Sequence, residues 1–490
     1  MTTDKKIEVR QQFVKVPGPD FEPSERWRIM RNILVIGCAF MVLFTAFMGA
    51  ANLQSSINAD QSLGTFTLSA IYGSLLFSNI FLPALVISYL GCKWTMSVAI
   101  FAYMPFIASQ FYPKFYTMIP AGLLVGLGGG PLWCAKCTYL TVIAEAYSTV
   151  SDIATDVLVT RFFGLFFMFY QMAQVWGNLI SSAVLSYGID TIATNATLNS
   201  SIVAETCGSN FCGVSNVEDE NPNLQPPPVE RIHLISGIYL GCMIVACLII
   251  SFCVDPATRY DKNRARSVKG SSGFKLLAVT LKLLKEKSQL LILPITLFIG
   301  AEQAFLFADY NASFVSCAWG ISNIGYVMIC FGVTNAIAAP ITGAIVKLTG
   351  RVPVMIFAFC LHMALLIFML QWRPTPEQGI VFFLISGIWG MCDSIWLVQI
   401  NALSGILFPG QEEAAFSNFR LWESTGSVIT YVYSPYLCTN KKLYILIGVL
   451  CVGMIGYIII EWSGRTNKAK IANEKSEFEL VNKRKSIDQS

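Results

Sequence analysis

Twelve separate runs of about twenty apolar residues divide this chain, and that is the length an α-helix needs to cross the hydrocarbon core of a bilayer. They fall near residues 32–53, 66–90, 96–111, 115–144, 162–187 and 233–254, then 290–308, 321–346, 353–370, 379–407, 414–437 and 443–460. Apolar residues make up 54% of the 490 and charged residues 13%, where a soluble domain carries roughly 25% charge. So little charge cannot cover so much apolar sequence in water. A soluble enzyme, a nucleic-acid binder and a secreted disulfide scaffold are therefore excluded. The expected fold is an all-α membrane protein, with twelve transmembrane helices in two six-helix bundles.

The domain plan follows from the spacing of the runs. Residues 1–31 form an N-tail, 32–254 a first bundle, 255–288 a central loop, 289–461 a second bundle and 462–490 a C-tail. The N-tail is polar and lacks an apolar start, so no cleavable signal is expected. Lys and Arg set the orientation. With the N-terminus inside, inner segments hold 26 of them, and outer segments hold Lys114, Arg231, Arg373, Lys441 and Lys442. Both termini are expected in the cytoplasm. The C-tail is polar enough to be expected without structure. Residues 273–287 repeat Phe274, Leu277, Ala278, Leu281 and Leu284 at helical spacing. They read either as a helix lying on the inner leaflet or as an ordinary linker helix.

Three glycosylation sequons fall on the expected outer side: Asn195 and Asn199 in the long loop 188–231, and Asn311 just beyond the seventh run. Most of the 15 cysteines lie in apolar runs and read as small core residues. Cys207 and Cys212 share the sequon-bearing loop, an oxidising location, and are the expected bridge. Cys317 and Cys438 also face outward, so three pairings of the four stay open.

Ionisable residues inside spans are costly, and each is a candidate site. Lys136, Glu302 and Asp393 lie deep in the fourth, seventh and tenth runs, three of the four that line the cavity in a two-bundle transporter. Lys136 is expected opposite Glu302 or Asp393, either as a lock between bundles or as part of a site for an ion, proton or small solute. Trp133, Tyr139, Gln303, Gln399 and Asn401 on the same helices complete the candidate cavity set. Arg420 and Glu423, three apart, read as a local pair. Gly122, Gly126 and Gly128–Gly130 before Pro131 allow close helix packing or a local break. There are only two histidines, no metal-ligand spacing, no nucleophile elbow and no phosphate loop, so neither catalysis nor a cofactor or metal is expected.

The two halves share a faint repeat. Leu90-Gly91-Cys92-Lys93 and Leu348-Thr349-Gly350-Arg351 are Gly-plus-cation turns at corresponding places, a remnant of the major-facilitator loop motif. Four longer segments resemble the uncoordinated-93 (Unc-93) family: GLGGGPLWCAKCTYLT (126–141), GAEQAFLFADYNASFVSCAWG (300–320), GIWGMCDSIWLVQINALSGILFP (387–409) and AAFSNFRLWESTG (414–426). Chain length and short tails place the likeness nearest the A-type branch. The resemblance implies a major-facilitator-like fold and a plasma-membrane regulator of potassium-channel activity and ion homeostasis, with the bilayer and a channel subunit as partners. A secondary transporter of a small solute or ion is the alternative. A trafficking chaperone for receptors, the role of another branch, is more distant because that branch carries long tails.

Overall fold

The structure, a computed structural model, describes residues 24–57, 61–151, 153, 155–186, 205–212, 223, 226–260, 282–283, 285–408 and 412–487. Asn195 and Asn199 lie outside these residues, as does most of the amphipathic segment 273–287. The described chain is all helical. α1 (Glu25–Ile57) is followed by the stretch Gln61–Ala108, which breaks at Gly91 into α2 (61–90) and α3 (92–108), then by α4 (Phe115–Thr149), α5 (Thr155–Ser186) and α6 (Val229–Leu248). The second half comprises α7 (Lys287–Trp319), α8 (Ile324–Thr349), α9 (Arg351–Gln371), α10 (Gly379–Leu407), α11 (Glu412–Tyr433) and α12 (Thr439–Ile487). Among the described residues, ten helices are long and apolar enough to cross a membrane.

The apolar runs form helices because lipid offers no partner for a free backbone N–H or C=O, and only a helix satisfies both within one segment. Two junctions show how glycine ends one helix and starts the next. Gly91 turns α2 into α3 at φ 69°, and Gly350 turns α8 into α9 at φ 84°. A side chain is strained in that left-handed region. The two turns sit at matching places in the halves, which is the repeat seen in the sequence. α7 changes its winding after Ala304, running as a π-helix over Phe305–Ser316.

In the first half α1 packs on α5 and α6, and α2 on α4; in the second, α8 packs on α10, and α7 on α11 and α12. At the end of the molecule where α1 begins, the ion pairs among the described residues each stay within one half. Arg28 and Arg31 bind Asp255 at 2.7 and 2.8 Å, and Arg351 meets Glu461 at 3.8 Å. At the opposite end the halves are joined. Ser182 Oγ donates to Ser322 O at 2.7 Å, Ser69 Oγ donates to Val428 O at 3.3 Å, and Tyr72 stacks near Tyr431. Asn52 donates to Asn178 at 2.8 Å, and its own carbonyl accepts from Asn311.

Three expectations are corrected here. The disulfides are Cys207–Cys317 and Cys212–Cys438, not Cys207–Cys212. Cys207 and Cys212 each reach a different helix end of the second half, and Thr439 N donates to Phe211 O at 2.8 Å between them. Asn311 is not in an outer loop. α7 continues past it, and its side chain is wholly buried with its amide on Asn52 O and Phe307 O, which leaves no room for a glycan. The C-tail does not stop as coil, since α12 runs on to Ile487.

Both bridges link the first half to the second. Cutting the chain at a protease site engineered into 261–281 is therefore expected to leave one band of 54.0 kDa on a non-reducing gel. Reductant should release two fragments. Halves that separate without reductant would contradict this pairing.

Candidate functional site

The five interior charges and their neighbours sort into three separate places. The first is Lys136 on α4, whose side chain is 1% exposed. Its ammonium lies over Phe166 at 4.2 Å from the ring centre, Phe167 at 4.8 Å, Trp133 at 4.9 Å and Phe163 at 5.0 Å. Trp133 is one turn back on the same helix, and the three phenylalanines come from α5. A cation over an aromatic face within about 6 Å gains about 0.5–2 kcal/mol, more when desolvated. Lys136 makes no ion pair with Glu302 or Asp393 among the described residues, so the expected bridge between the halves is not formed. The sequence reading looked for a counter-charge, but here ring faces serve instead. Trp133 also packs on Phe44 and Tyr170 at 5.4 and 5.2 Å, which makes it part of the wall of the cage.

The second place lies in the other half. Glu302 on α7 and Asp393 on α10 lie close enough to interact electrostatically, and both are buried. Asp393 Oδ1 accepts from Gln303 Nε2 at 2.8 Å, and its Oδ2 accepts from Asn335 Nδ2 on α8. Trp389 Nε1 donates to Glu302 Oε2, while Glu302 Oε1 is buried with no N–H aimed at it. Aromatic rings close the surroundings. Trp389 stacks on Phe305 at 5.7 Å and lies 4.8 Å from the His362 ring, whose Nδ1 accepts from Trp396 at 3.2 Å.

Gly390 brings Asn335 to this site. A Cβ at Gly390 would stand 2.5 Å from Phe331 O and 2.4 Å from Thr334 Oγ1. Only glycine lets α8 approach α10 so closely, one turn from Asp393. Asn335, Trp389 and His362 were missed in the sequence because none of them carries a formal charge that stands out in an apolar run. The one signal that could have found Asn335 is that it is an amide within the apolar run 321–346.

The third place is Asp309 on α7, which binds Lys442 Nζ at 2.5 Å and accepts from Ser434 Oγ at 2.6 Å. Both charged side chains are at most 5% exposed. Arg420 and Glu423 form the local pair expected, at 2.7 Å on α11. The remaining candidates do not join these groups. Tyr139 donates to Asp255 O at 2.8 Å and so ties α4 to the end of α6. Asn401 donates to Leu397 O of its own helix at 2.7 Å, and Gln399 is buried on α10. Among the described residues, no group of three His, Cys, Asp or Glu converges as a metal site would require.

Comparison with known proteins supplies a family. The model of a family described as "Ion channel regulatory protein UNC-93" matches residues 55–459. "Protein unc-93 homolog A" of Xenopus laevis is 40% identical over 91% of this chain and 95% of its own length. "Putative potassium channel regulatory protein unc-93" of Caenorhabditis elegans is 33% identical over 89% of this chain and 61% of its own. Among solved structures, the nucleoside transporter NupG superimposes with a TM-score of 0.59 over 87% of this chain and 98% of its own, at 11% identity. That likeness is one of fold.

Breaking the buried Asp309–Lys442 pair from one side leaves a charge uncompensated, at a cost of about 3–5 kcal/mol. Lys442→Met alone should lower the unfolding temperature sharply, and adding Asp309→Asn should recover much of the loss. Equal loss in the single and double variants would show that the pair is not the source.

Proposed function

The chain belongs to the UNC-93 family of ion channel regulatory proteins, and on that premise we propose that it is a non-enzymatic, multi-pass membrane protein that regulates the activity of a potassium channel. The observation that carries the reading is the unbroken span of the family match, which takes in both halves of the fold and all three charged places. Regulation would act by helix contact in the bilayer. Small residues on helix faces and the loops at the α1 end are the surfaces suited to it.

This reading includes a finer architecture. α5 and α11 join the ten apolar helices as spans, giving twelve in two bundles of major-facilitator type. The excess of Lys and Arg at the α1 end supports cytoplasmic termini. The bridges Cys207–Cys317 and Cys212–Cys438 at the opposite end support an extracellular face there, in the plasma membrane. Asn195 and Asn199, on the same loop, are then the glycan acceptors. Glycosidase should increase gel mobility of the surface protein, and changing both to Gln should remove that shift; an unchanged mobility would contradict it.

A second reading, a secondary transporter of a small solute or ion, is favoured by the fold shared with a nucleoside transporter over nearly the full chain. Whole-cell recording separates the two. Co-expression with its potassium channel should change channel activity by about fivefold or more, a coupling of about 1 kcal/mol. The change should persist in Lys136→Gln. Current equal to that of the channel alone, at equal surface density, would contradict regulation. Uptake without any channel would point to transport.

A further inference from the structure

The acid pair of α7 and α10 has a chemistry that contact with a channel does not use. Two carboxyl groups packed together in an apolar interior repel each other as anions, and one proton shared between them would leave a single negative charge to be met. Three N–H donors are aimed at it, from Gln303 and Asn335 onto Asp393 and from Trp389 onto Glu302. They favour the ionised form, as donors to a carboxylate do. No Lys or Arg is ion-paired with either acid among the described residues, because Lys136 is turned into its aromatic cage. Glu302 Oε1 is fully buried and no N–H is aimed at it. A charge so placed is costly in a bilayer unless something positive meets it.

We propose that Glu302, Asp393, Gln303 and Asn335 form a binding site for one monovalent alkali cation. Glu302 Oε1 is its free carboxylate ligand and the Asp393 carboxylate the second. The carboxamides of Gln303 and Asn335 each carry an oxygen as well as an N–H, and a half-turn of either presents that oxygen to the ion. Oxygen donors suit a hard cation, and one residual negative charge matches a single positive charge, not a double one. The titratable groups facing the site are His362 from α9, Cys392 from α10 and Glu423 from α11, the last already held by Arg420. A second proton is the natural competitor for the same oxygen atoms. The site does not depend on the channel reading.

The test is thermal unfolding of the purified full chain in nanodiscs, with sodium or potassium replacing N-methyl-D-glucamine at constant ionic strength, in mildly acidic to mildly alkaline buffers. The expected result is a saturable rise in unfolding temperature with the alkali ion, whose midpoint concentration increases by up to roughly tenfold per pH unit of acidification. Asp393→Asn and Glu302→Gln should abolish the rise. Asn335→Ala and Gln303→Ala, which leave both carboxyl groups in place, should weaken it if the acid variants fail to fold. Lys136→Gln should keep it. Equal unfolding temperatures in sodium, potassium and the organic cation would overturn the proposal, as would an undiminished rise in the Asn335 and Gln303 variants. A cation effect without channel modulation would leave the site standing and remove only the regulatory reading.

Discussion

A charge inside a bilayer must be met where it stands, and the arrangement of this protein follows from how each interior charge is met. Water cannot reach these side chains to solvate them, and an unmatched one would be excluded from the fold. Lys136 is met by four ring faces. Glu302 and Asp393 are met by three N–H donors and, in the proposal above, by a cation. Asp309 is met by an ammonium and a hydroxyl. Each solution lies within one half of the chain. In these direct contacts each half is self-contained, and the halves are joined by other means: hydroxyls and amides near α1, α5, α7 and α8, together with two disulfides.

This division bears on function. An ion pair between Lys136 and the acids would have locked the halves through the middle of the membrane. Its absence among the described residues leaves the described cross-half hydrogen bonds and bridges at one end, where the loop carrying Cys207 and Cys212 reaches the ends of α7 and α12. A relative movement of the halves would then cost contacts at that end and not a buried charge pair. Both a regulator that changes shape beside a channel and a transporter-like fold can use that freedom.

Much of the fold was legible because apolar length and the positions of Gly91 and Gly350 speak directly to helix and turn. What was not legible depended on which way helices face. Lys136 is three residues from Trp133, but the rings of Phe163, Phe166 and Phe167 come from another helix, and no spacing rule pairs them. Asn311 reads as a loop residue because Asp309, Asn311, Ser313 and Ser316 make a polar run. In the structure the helix goes on, and these side chains bury against α1, α11 and α12. The bridge from Cys207 was drawn to its neighbour in sequence, five residues away. The fold offered each cysteine a helix end instead. Glu302 and Asp393 were singled out correctly as interior acids, although only the close approach at Gly390 shows that Asn335 completes their surroundings.

The most direct test of the separation of charges is a double-mutant cycle on unfolding free energy with Lys136→Gln and Asp393→Asn. Self-contained halves predict that the two effects add to within about 0.5 kcal/mol. A coupling above about 1 kcal/mol would mean that the ammonium and the carboxylate interact across the molecule, and would contradict the account.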